Sequence, residues 1–355
     1  MNINKKDNRI EFLDTAKGIG IILVIIGHVS TNALINNWIY SFHMPLFFII
    51  SGYISGESIG IISTKKFLKK KARSLLIPYF LFSILSYLYW VIIERNIRGE
   101  NNSIIKPFIN IFIAQGGSNN YVFNVVMWFL PCLFVTEIIY YFINKNNNKK
   151  IVGKVLILSS MIGYLISKYV NVRLPWTLDI VFTSLVFYGV GNLILDNNVK
   201  FISKDKIYYK NIIISVSLFL CLTVTSLWNK GVDMNNNIIP NYFIFYISAF
   251  LGIIFTINIS KKIKLSFVKY LGKKSLILML VHEPIKRIVI KLVELLTKIK
   301  VEVLRTNIIS ILICSLIIII IIIPMIIIID KYIPFIIGKS NQNKKYRINY
   351  LGENQ

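Results

Sequence analysis

The sequence predicts an all-α integral membrane protein, a bundle of about ten transmembrane helices with both termini in the cytoplasm. Composition is the first reason: the chain has 355 residues, 55% of them hydrophobic, and its mean hydropathy is +0.63. Soluble domains rarely reach such values over this length. The second reason is that the apolar residues fall in runs of about twenty, the length of a helix that crosses a bilayer. Lipid offers the backbone no hydrogen bonds, so such runs fold as helices.

Candidate membrane spans follow one another along the chain, and no hydrophilic stretch between them is long enough to bury the core of a soluble domain. They cover residues 18–35, 38–57, 75–93, 122–143, 151–168, 176–195, 211–228, 241–259, 275–292 and 307–329. The ninth is the most polar, and an amphipathic helix at the membrane interface beyond Pro284 is the alternative to a full crossing there. We therefore expect one membrane domain over residues 1–338 and a cytoplasmic tail over residues 339–355.

Basic residues predict the orientation of the chain. With the N-terminus inside, 29 of the 41 lysines and arginines lie on the inner side, as the positive-inside rule requires. Half of the twelve outer ones lie between residues 286 and 305, next to the polar ninth span. The formal net charge of +25 comes with no nucleic-acid-binding motif, so nucleic acid is not an expected partner. The expected partner is the lipid bilayer, and the expected location is the bacterial cell membrane, which the chain crosses many times.

A buried histidine in the first span is the leading candidate for chemistry. Lys17 lies at the cytoplasmic mouth of this span, and ten residues separate it from His28. That separation is roughly 16 Å along a helix. A lone histidine in an apolar span has either a functional role or a packing role, because burying it is costly. Imidazole transfers protons near neutral pH, so the functional interpretation makes His28 a general base.

A basic cluster precedes the third span, in the stretch STKKFLKKKARSLL. Ordinary positive-inside charge is the simpler interpretation on composition alone. Lys70 and Arg73, however, are three residues apart and share one helix face, where two cations can hold phosphates. Together with His28 they would suit a donor with an anionic head at the cytoplasmic mouth and a long arm. Acyl-coenzyme A is such a donor.

Other polar residues within the spans are weaker candidates. Glu137 lies deep in the fourth span, where an unpaired carboxylate is expensive, so it is protonated, paired or functional. A functional Glu137 would orient His28 or an acceptor hydroxyl. Asp179 and Glu283 could meet a sugar from the outer side. The three cysteines show no metal or redox spacing, and no metal is expected.

Four motifs carry a resemblance to a known family. The segments RIEFLDTAKGIGIILVIIGH and FHMPLFFIISGY resemble the opening of the membrane-bound acyltransferase 3 family. The pair Lys70 and Arg73, the stretch Met127–Phe134 and the stretch Leu271–Ile285 resemble three further motifs of that family. The resemblance runs from Arg9 to about Ile285. It is closest to members that resemble fucose 4-O-acetylases of surface polysaccharides.

The resemblance implies a reaction and roles for four residues. The family transfers an acyl group, usually acetyl, from cytoplasmic acyl-coenzyme A to a carbohydrate hydroxyl. His28 would then be the catalytic histidine, and Lys17, Lys70 and Arg73 would serve the coenzyme. Lys70 departs from the family's arginine and loses its planar, bidentate geometry. The expected co-substrates are therefore acetyl-coenzyme A and a cell-surface or lipid-linked carbohydrate.

Two readings from other classes stay open at this point. A transporter or flippase for a glycolipid or an anionic solute could use His28, Glu137 and the basic residues for binding or coupling. Such a protein often has paired discontinuous helices, and the sequence has no such pairing. A non-catalytic membrane subunit could use the basic loops to contact anionic lipid.

Overall fold

The computed structural model describes residues 11–56, 62–98, 103–145, 147–196 and 208–339, so nearly all of the predicted tail lies outside the described residues. The α-helices are α1 Glu11–Val29, α2 Ala33–Tyr40, α3 His43–Gly56, α4 Thr64–Lys71, α5 Ile77–Tyr89, α6 Arg95–Arg98, α7 Ile105–Ile113, α8 Phe129–Lys145, α9 Lys149–Tyr169, α10 Leu178–Asp196, α11 Tyr208–Trp228, α12 Tyr242–Lys262, α13 Ser266–Lys273, α14 Ser275–Thr297, α15 Val301–Thr306 and α16 Ile308–Tyr332. Two π-helical turns, Ala72–Leu76 and Trp90–Glu94, join α4, α5 and α6 into one rod. Short 3₁₀ turns cover Val125–Trp128, Pro175–Thr177 and Pro334–Ile337.

The described residues confirm an all-α membrane fold. Eight helical stretches are long and apolar enough to cross a bilayer: Glu11–Val29, Ala33–Gly56, Thr64–Ile97, Val125–Lys145, Lys149–Tyr169, Pro175–Ile194, Tyr242–Lys262 and Ile308–Tyr332. Each coincides with a predicted span. The predicted seventh span is also helical, with a shorter apolar part, Ile212–Trp228. The total of about ten spans and the cytoplasmic placement of both termini stay predictions.

The first helix ends earlier than the predicted boundary at residue 35. Helix α1 stops at Val29, and Asn32 caps the next helix by accepting hydrogen bonds from the backbone of Leu34 and Ile35. The last carbonyls of α1 are met by Arg305, whose Nε donates to the Val29 carbonyl at 3.0 Å. A helix end needs such donors, because its final carbonyls have no partner within the helix. His28 therefore lies in the last turn of α1.

Helix α13 packs against the opposite end of α1. A Cβ placed on Gly272 would lie 1.7 Å from the Asp14 carbonyl oxygen, and one on Gly18 would lie 2.0 Å from the Val268 carbonyl oxygen. Only glycine allows two backbones to approach so closely. The start of α1 is thus held by α13, while its end is held by Arg305. Lys17 and His28 belong to opposite ends of the bundle.

The polar ninth segment is one continuous helix, so the structure agrees with the predicted helix over 275–292 and does not show a separate helix beyond Pro284. Helix α14 runs through Pro284, and Lys286 and Val289 beyond it are still buried. Proline cannot donate to the carbonyl four residues earlier, which usually weakens a helix. Here the side chain of Asn124 donates to that carbonyl, on Leu280, at 2.9 Å. A neighbouring segment therefore supplies the hydrogen bond that Pro284 lacks.

Candidate active site

The three histidines of the chain converge at one end of the bundle, although they lie on three different helices. The ring centroid of His28 on α1 lies 5.1 Å from that of His282 on α14. Tyr40 connects them to the third, because its ring lies 6.4 Å from His28 and 5.1 Å from His43. Three widely separated stretches of sequence thus place their imidazoles in one cluster.

His28 lies beside Glu283, the residue after His282. Its Nδ1 lies 3.3 Å from Glu283 Oε2. The Glu283 side chain is 4% exposed and the His28 side chain 20% exposed, so the carboxylate is enclosed and the ring reaches a cavity. The contact is a close approach rather than a hydrogen bond, because Oε2 has no hydrogen-bond partner among the described residues. The negative charge of the carboxylate favours the tautomer with the proton on Nδ1, which leaves the lone pair of a neutral ring on Nε2, where it can accept a proton. A carboxylate beside a base can in this way favour one tautomer and one orientation.

Glu283 itself is held by two cations of its own helix. Lys286 Nζ lies 2.6 Å from Glu283 Oε1 and Arg287 Nε lies 3.3 Å from the same atom. The spacings of three and four residues put these side chains on one helix face. Arg287 also reaches across to the rod formed by α4 to α6, where its Nη1 lies 2.8 Å from Glu94 Oε1. This network ties α14 to that rod and fixes the carboxylate that faces His28.

The other two histidines are fixed by backbone carbonyls. His282 Nδ1 donates to Leu278 and His43 Nδ1 donates to Ile39, both at 2.9 Å. A carbonyl accepts only, so the remaining nitrogen, Nε2, carries the lone pair in each neutral ring. His43 lines the smaller cavity at His28, whereas His282 lines neither cavity and its Nε2 is buried without a hydrogen-bond partner among the described residues. His28 is the histidine whose Nδ1 lies beside a carboxylate.

Three side chains are close enough together to be considered as metal ligands. The ligand atoms of His28, His282 and Glu283 all lie within 4.8 Å of one another. Two imidazoles and one carboxylate form a donor set that zinc accepts. However, Lys286 and Arg287 are bonded to this carboxylate and supply positive charge where a metal ion would place its own. The arrangement suits proton transfer better than metal binding.

His28 lines two neighbouring cavities. The smaller, of about 170 Å³, has a polar and aromatic lining that includes Tyr40, His43, Trp128, Asp233 and Asn235. The other, of about 420 Å³, is lined by His28 together with Ser30, Asn36, Ser118, Lys286 and Arg305. Sites for small polar molecules commonly combine an apolar wall with a few fixed polar groups. The His28 ring is thus accessible to substrate-sized molecules from this end of the bundle.

The basic residues expected to serve a coenzyme lie apart from these cavities. Lys17 pairs with Asp14 at 3.0 Å, at the end of the bundle that α13 covers. Lys70 and Arg73 are exposed, at the junction of α4 with the first π-helical turn. None of the three lines the two cavities at His28. The structure therefore separates the predicted clamp from the predicted base, as the spacing along α1 requires.

Glu137 does not meet His28 in this structure. Its Oε1 lies 2.8 Å from Lys71 Nζ, and Lys71 also donates to Ser55 at 2.7 Å. Of the three states that the sequence allowed for Glu137, the structure shows the paired one, and the carboxylate that lies beside His28 is Glu283. Hydropathy reports how deep a residue lies within a span but not which helix it faces, and this is why the sequence favoured Glu137. A catalytic role for Glu137 stays a prediction.

Sequence reasoning did not identify Glu283 or Arg305 as part of the site. From the sequence, Glu283 belongs to the polar ninth span and could meet a sugar from the outer side. The signal that could have found it is the run of one acid followed by bases three and four residues later, in an otherwise apolar helix. Arg305 carries no such signal, since its role depends on a contact with the end of α1.

A carboxylate beside an imidazole at the junction of two cavities is an arrangement that can move a proton, in a chain whose helices are long and apolar enough to cross a membrane. The class can be stated more closely, because a family model described as an acyltransferase domain matches residues 10–328. The chain therefore belongs to the acyltransferase 3 family and is a membrane acyltransferase. This membership confirms the resemblance of its motifs and favours an enzyme over a transporter or a non-catalytic subunit.

Two curated relatives share a short segment with the chain. Nodulation protein NolL of Sinorhizobium fredii (strain NBRC 101917 / NGR234) is 40% identical over an 83-residue alignment, which covers 20% of this chain and 23% of that protein. Nodulation protein NolL of Mesorhizobium japonicum (strain LMG 29417 / CECT 9101 / MAFF 303099) is 41% identical over 83 residues, 20% of this chain and 22% of that protein. The match thus spans less than a quarter of either relative. No solved structure matches the chain significantly.

Proposed function

We propose that this membrane acyltransferase moves an acetyl group from acetyl-coenzyme A to a hydroxyl of a cell-surface or lipid-linked carbohydrate, in the bacterial cell membrane. The observation that carries the proposal is the His28–Glu283 pair, with Nδ1 and Oε2 3.3 Å apart, at the junction of two cavities. One cavity offers polar and aromatic side chains of the kind that bind sugars, including Asp233 and Trp128.

The reaction follows from the orientation of His28. Its Nε2 removes the proton of the acceptor hydroxyl as the hydroxyl oxygen attacks the thioester carbonyl carbon. Glu283 stabilises the imidazolium that forms, as the carboxylate of a catalytic triad does. The carbon–sulfur bond then breaks, and the imidazolium returns its proton to the departing thiolate. Lys286 and Arg305 line the second cavity at His28 and provide positive charge near the oxyanion.

The coenzyme is proposed to enter from the opposite end. Lys17 lies roughly 16 Å before His28 along α1, so a long, thin arm is needed to bring the thioester to the imidazole. Lys70 and Arg73 are exposed cations, and together they can hold the phosphates while the arm lies between helices. Lys17 donates to Asp14 but has further ammonium protons for a phosphate.

The test of this proposal is a transfer assay in oriented membrane vesicles. Radiolabelled acetyl-coenzyme A, which does not cross membranes, is added to inside-out or right-side-out vesicles that contain the full chain and a host glycan extract. The expected result is label in the glycan fraction from inside-out vesicles only. Equal labelling from both orientations would contradict the cytoplasmic donor, and no labelling in either, with folded protein, would contradict acetyl transfer.

A further inference from the structure

The end of α14 that the predicted orientation places outside carries more basic residues than the proposed reaction uses. Six of the twelve cations assigned to the outer side lie between residues 286 and 305. Because α14 is continuous, and Arg305 bonds the end of α1, these cations lie at the His28 end of the bundle. The positive-inside rule disfavours cations on that side. Glu283, Glu94 and Glu294 pair with three of these cations, and the cluster as a whole stays positively charged.

A further cavity lies at this end of α14. It has a volume of about 740 Å³ and lies between α14 and the rod that ends in α6. Its lining includes Ile97, Ile288 and Leu292, which are 71%, 43% and 50% exposed. Large aliphatic side chains so exposed on neighbouring helices face acyl chains in a membrane. One side of the cavity is therefore continuous with the hydrocarbon of the bilayer.

The inner side of the same cavity is basic and leads to His28. Lys286, Arg287 and Arg305 line both this cavity and the 420 Å³ cavity that contains His28. Lys291 is the fourth basic residue in the lining of this cavity. The lining contains two acidic residues, Glu94 and Glu283.

Two of these cations are available to a ligand. Lys286 and Arg287 are bonded to carboxylates of the lining. Arg305, by contrast, bonds backbone carbonyls and has no carboxylate partner among the described residues. Lys291 is 59% exposed, although it also pairs with Glu294.

We infer that this cavity binds the phosphate or diphosphate head of a membrane-anchored glycan carrier, a polyprenyl-type lipid, whose sugar then reaches His28. The inference rests on the proposed function and narrows its acceptor to a lipid-linked carbohydrate. Arg305 and Lys291 hold the phosphate oxygens, since guanidinium and ammonium groups form strong charge-assisted hydrogen bonds with them. Ile97, Ile288 and Leu292 contact the first isoprene units. A water-soluble anion such as coenzyme A gains nothing from these exposed aliphatic walls.

The test measures binding of farnesyl diphosphate, a short polyprenyl diphosphate, to the purified full chain in detergent micelles. Wild type is expected to bind it in a salt-sensitive manner, with farnesol binding at least about tenfold more weakly because the charged head is missing. Coenzyme A is expected not to displace it. Equal binding of farnesol, or displacement by coenzyme A at equal concentration, would overturn the inference.

Two double variants separate this cavity from general surface charge. Lys291→Gln with Arg305→Gln is expected to weaken binding at least about tenfold. Lys298→Gln with Lys300→Gln removes the same charge from exposed positions on the same segment that do not line the cavity, and binding is expected to be unchanged. Equal losses in both would overturn the inference. Arg305→Lys keeps the charge, and recovery of binding there excludes loss through misfolding.

Binding of farnesyl diphosphate can be measured independently of acetyl transfer. His28→Ala is expected to retain farnesyl diphosphate binding, because His28 does not line the lipid-facing cavity. Wild type that labels a water-soluble glycan but does not bind farnesyl diphosphate would refute the carrier site and leave the proposed function intact. Wild type that binds farnesyl diphosphate but transfers no acetyl group would refute the proposed function and leave the carrier site intact.

Discussion

Glu283 Oε2 and His28 Nδ1 lie 3.3 Å apart and join the last turn of α1 to the middle of α14. The same carboxylate is bonded through Oε1 to Lys286 and Arg287, so it is enclosed and held from two sides. The surroundings of the His28 imidazole are therefore set by α14, a helix that is far from α1 in the sequence. Helix α14, the most polar of the predicted spans, is therefore as important to the chemistry as α1.

Replacement of Glu283 by Gln tests this dependence. The amide keeps the shape but removes the charge that fixes the tautomer and stabilises the imidazolium, so kcat is expected to fall about 10²- to 10⁴-fold. Initial rates of acetyl transfer at saturating donor measure this. Gel filtration in detergent checks that the variant is folded.

Glu94→Gln is the matched control for that change. This change removes the other carboxylate that pairs with Arg287, and Glu94 is not the carboxylate that lies beside His28. Most of the kcat is expected to remain, and any loss of thermal stability should resemble that of Glu283→Gln. Equal losses of kcat in the two variants would mean that Glu283 acts only by holding the helices together.

The basic residues at the cytoplasmic end give a second prediction. Lys70→Gln combined with Arg73→Gln is expected to raise the KM for acetyl-coenzyme A about tenfold and to change kcat less, because lost phosphate contacts weaken donor binding. Lys65→Gln with Lys66→Gln removes two exposed charges from the same helix and is expected to leave KM unchanged. An equal rise of the KM in both double variants would mean that Lys70 and Arg73 contribute only general surface charge and do not form a specific coenzyme site.

The pair Lys71 and Glu137 gives a third prediction. Lys71→Met leaves a buried carboxylate without its cation, which is expected to cost about 3–5 kcal/mol and to lower the melting temperature. Adding Glu137→Leu removes the uncompensated charge and should restore most of that stability. Thermal melts of the single and double variants in detergent measure this.

The same double variant decides the role of Glu137. If the carboxylate serves the fold alone, the stable double variant transfers acetyl at a rate close to wild type. A folded double variant without transfer would instead support the catalytic role that the sequence suggested for Glu137.

The close contact between α1 and α13 gives a fourth prediction. Gly272→Ala would place a methyl group 1.7 Å from the Asp14 carbonyl oxygen, so the two helices must move apart and the melting temperature should fall. Gly153→Ala is the control, since a methyl group at this helical glycine has no neighbour within 4 Å. Alanine there should be neutral or stabilising by up to about 1 kcal/mol. A melting temperature unchanged by Gly272→Ala would contradict the packing.

The helices were predictable because membrane burial leaves a strong, local signal. Runs of apolar residues located the eight long apolar stretches, such as Ile308–Tyr332, to within a few residues of most ends. Two features of the helices depend on contacts between distant residues. Helix α1 ends early because a distant residue, Arg305, satisfies its last carbonyls, and α14 continues through Pro284 because Asn124 supplies the missing hydrogen bond. Neither contact can be seen from local composition.

The candidate site was predictable only in part, for a similar reason. His28 stood out because a histidine in an apolar span is rare and costly. The sequence suggested Glu137 as the carboxylate that could orient His28, because hydropathy shows that Glu137 lies within a span but not which helix it faces. The structure pairs Glu137 with Lys71 and places Glu283 beside His28.

The most direct test of the account is transfer of label from radioactive acetyl-coenzyme A to a glycan acceptor by purified wild type and by His28→Ala, in parallel. Both proteins are reconstituted at equal amounts after their folding is checked by gel filtration. We predict that wild type labels the glycan and that His28→Ala, although folded, gives no label above background, because no other side chain has the Glu283-paired geometry among the described residues. Substantial transfer by His28→Ala would contradict the central claim.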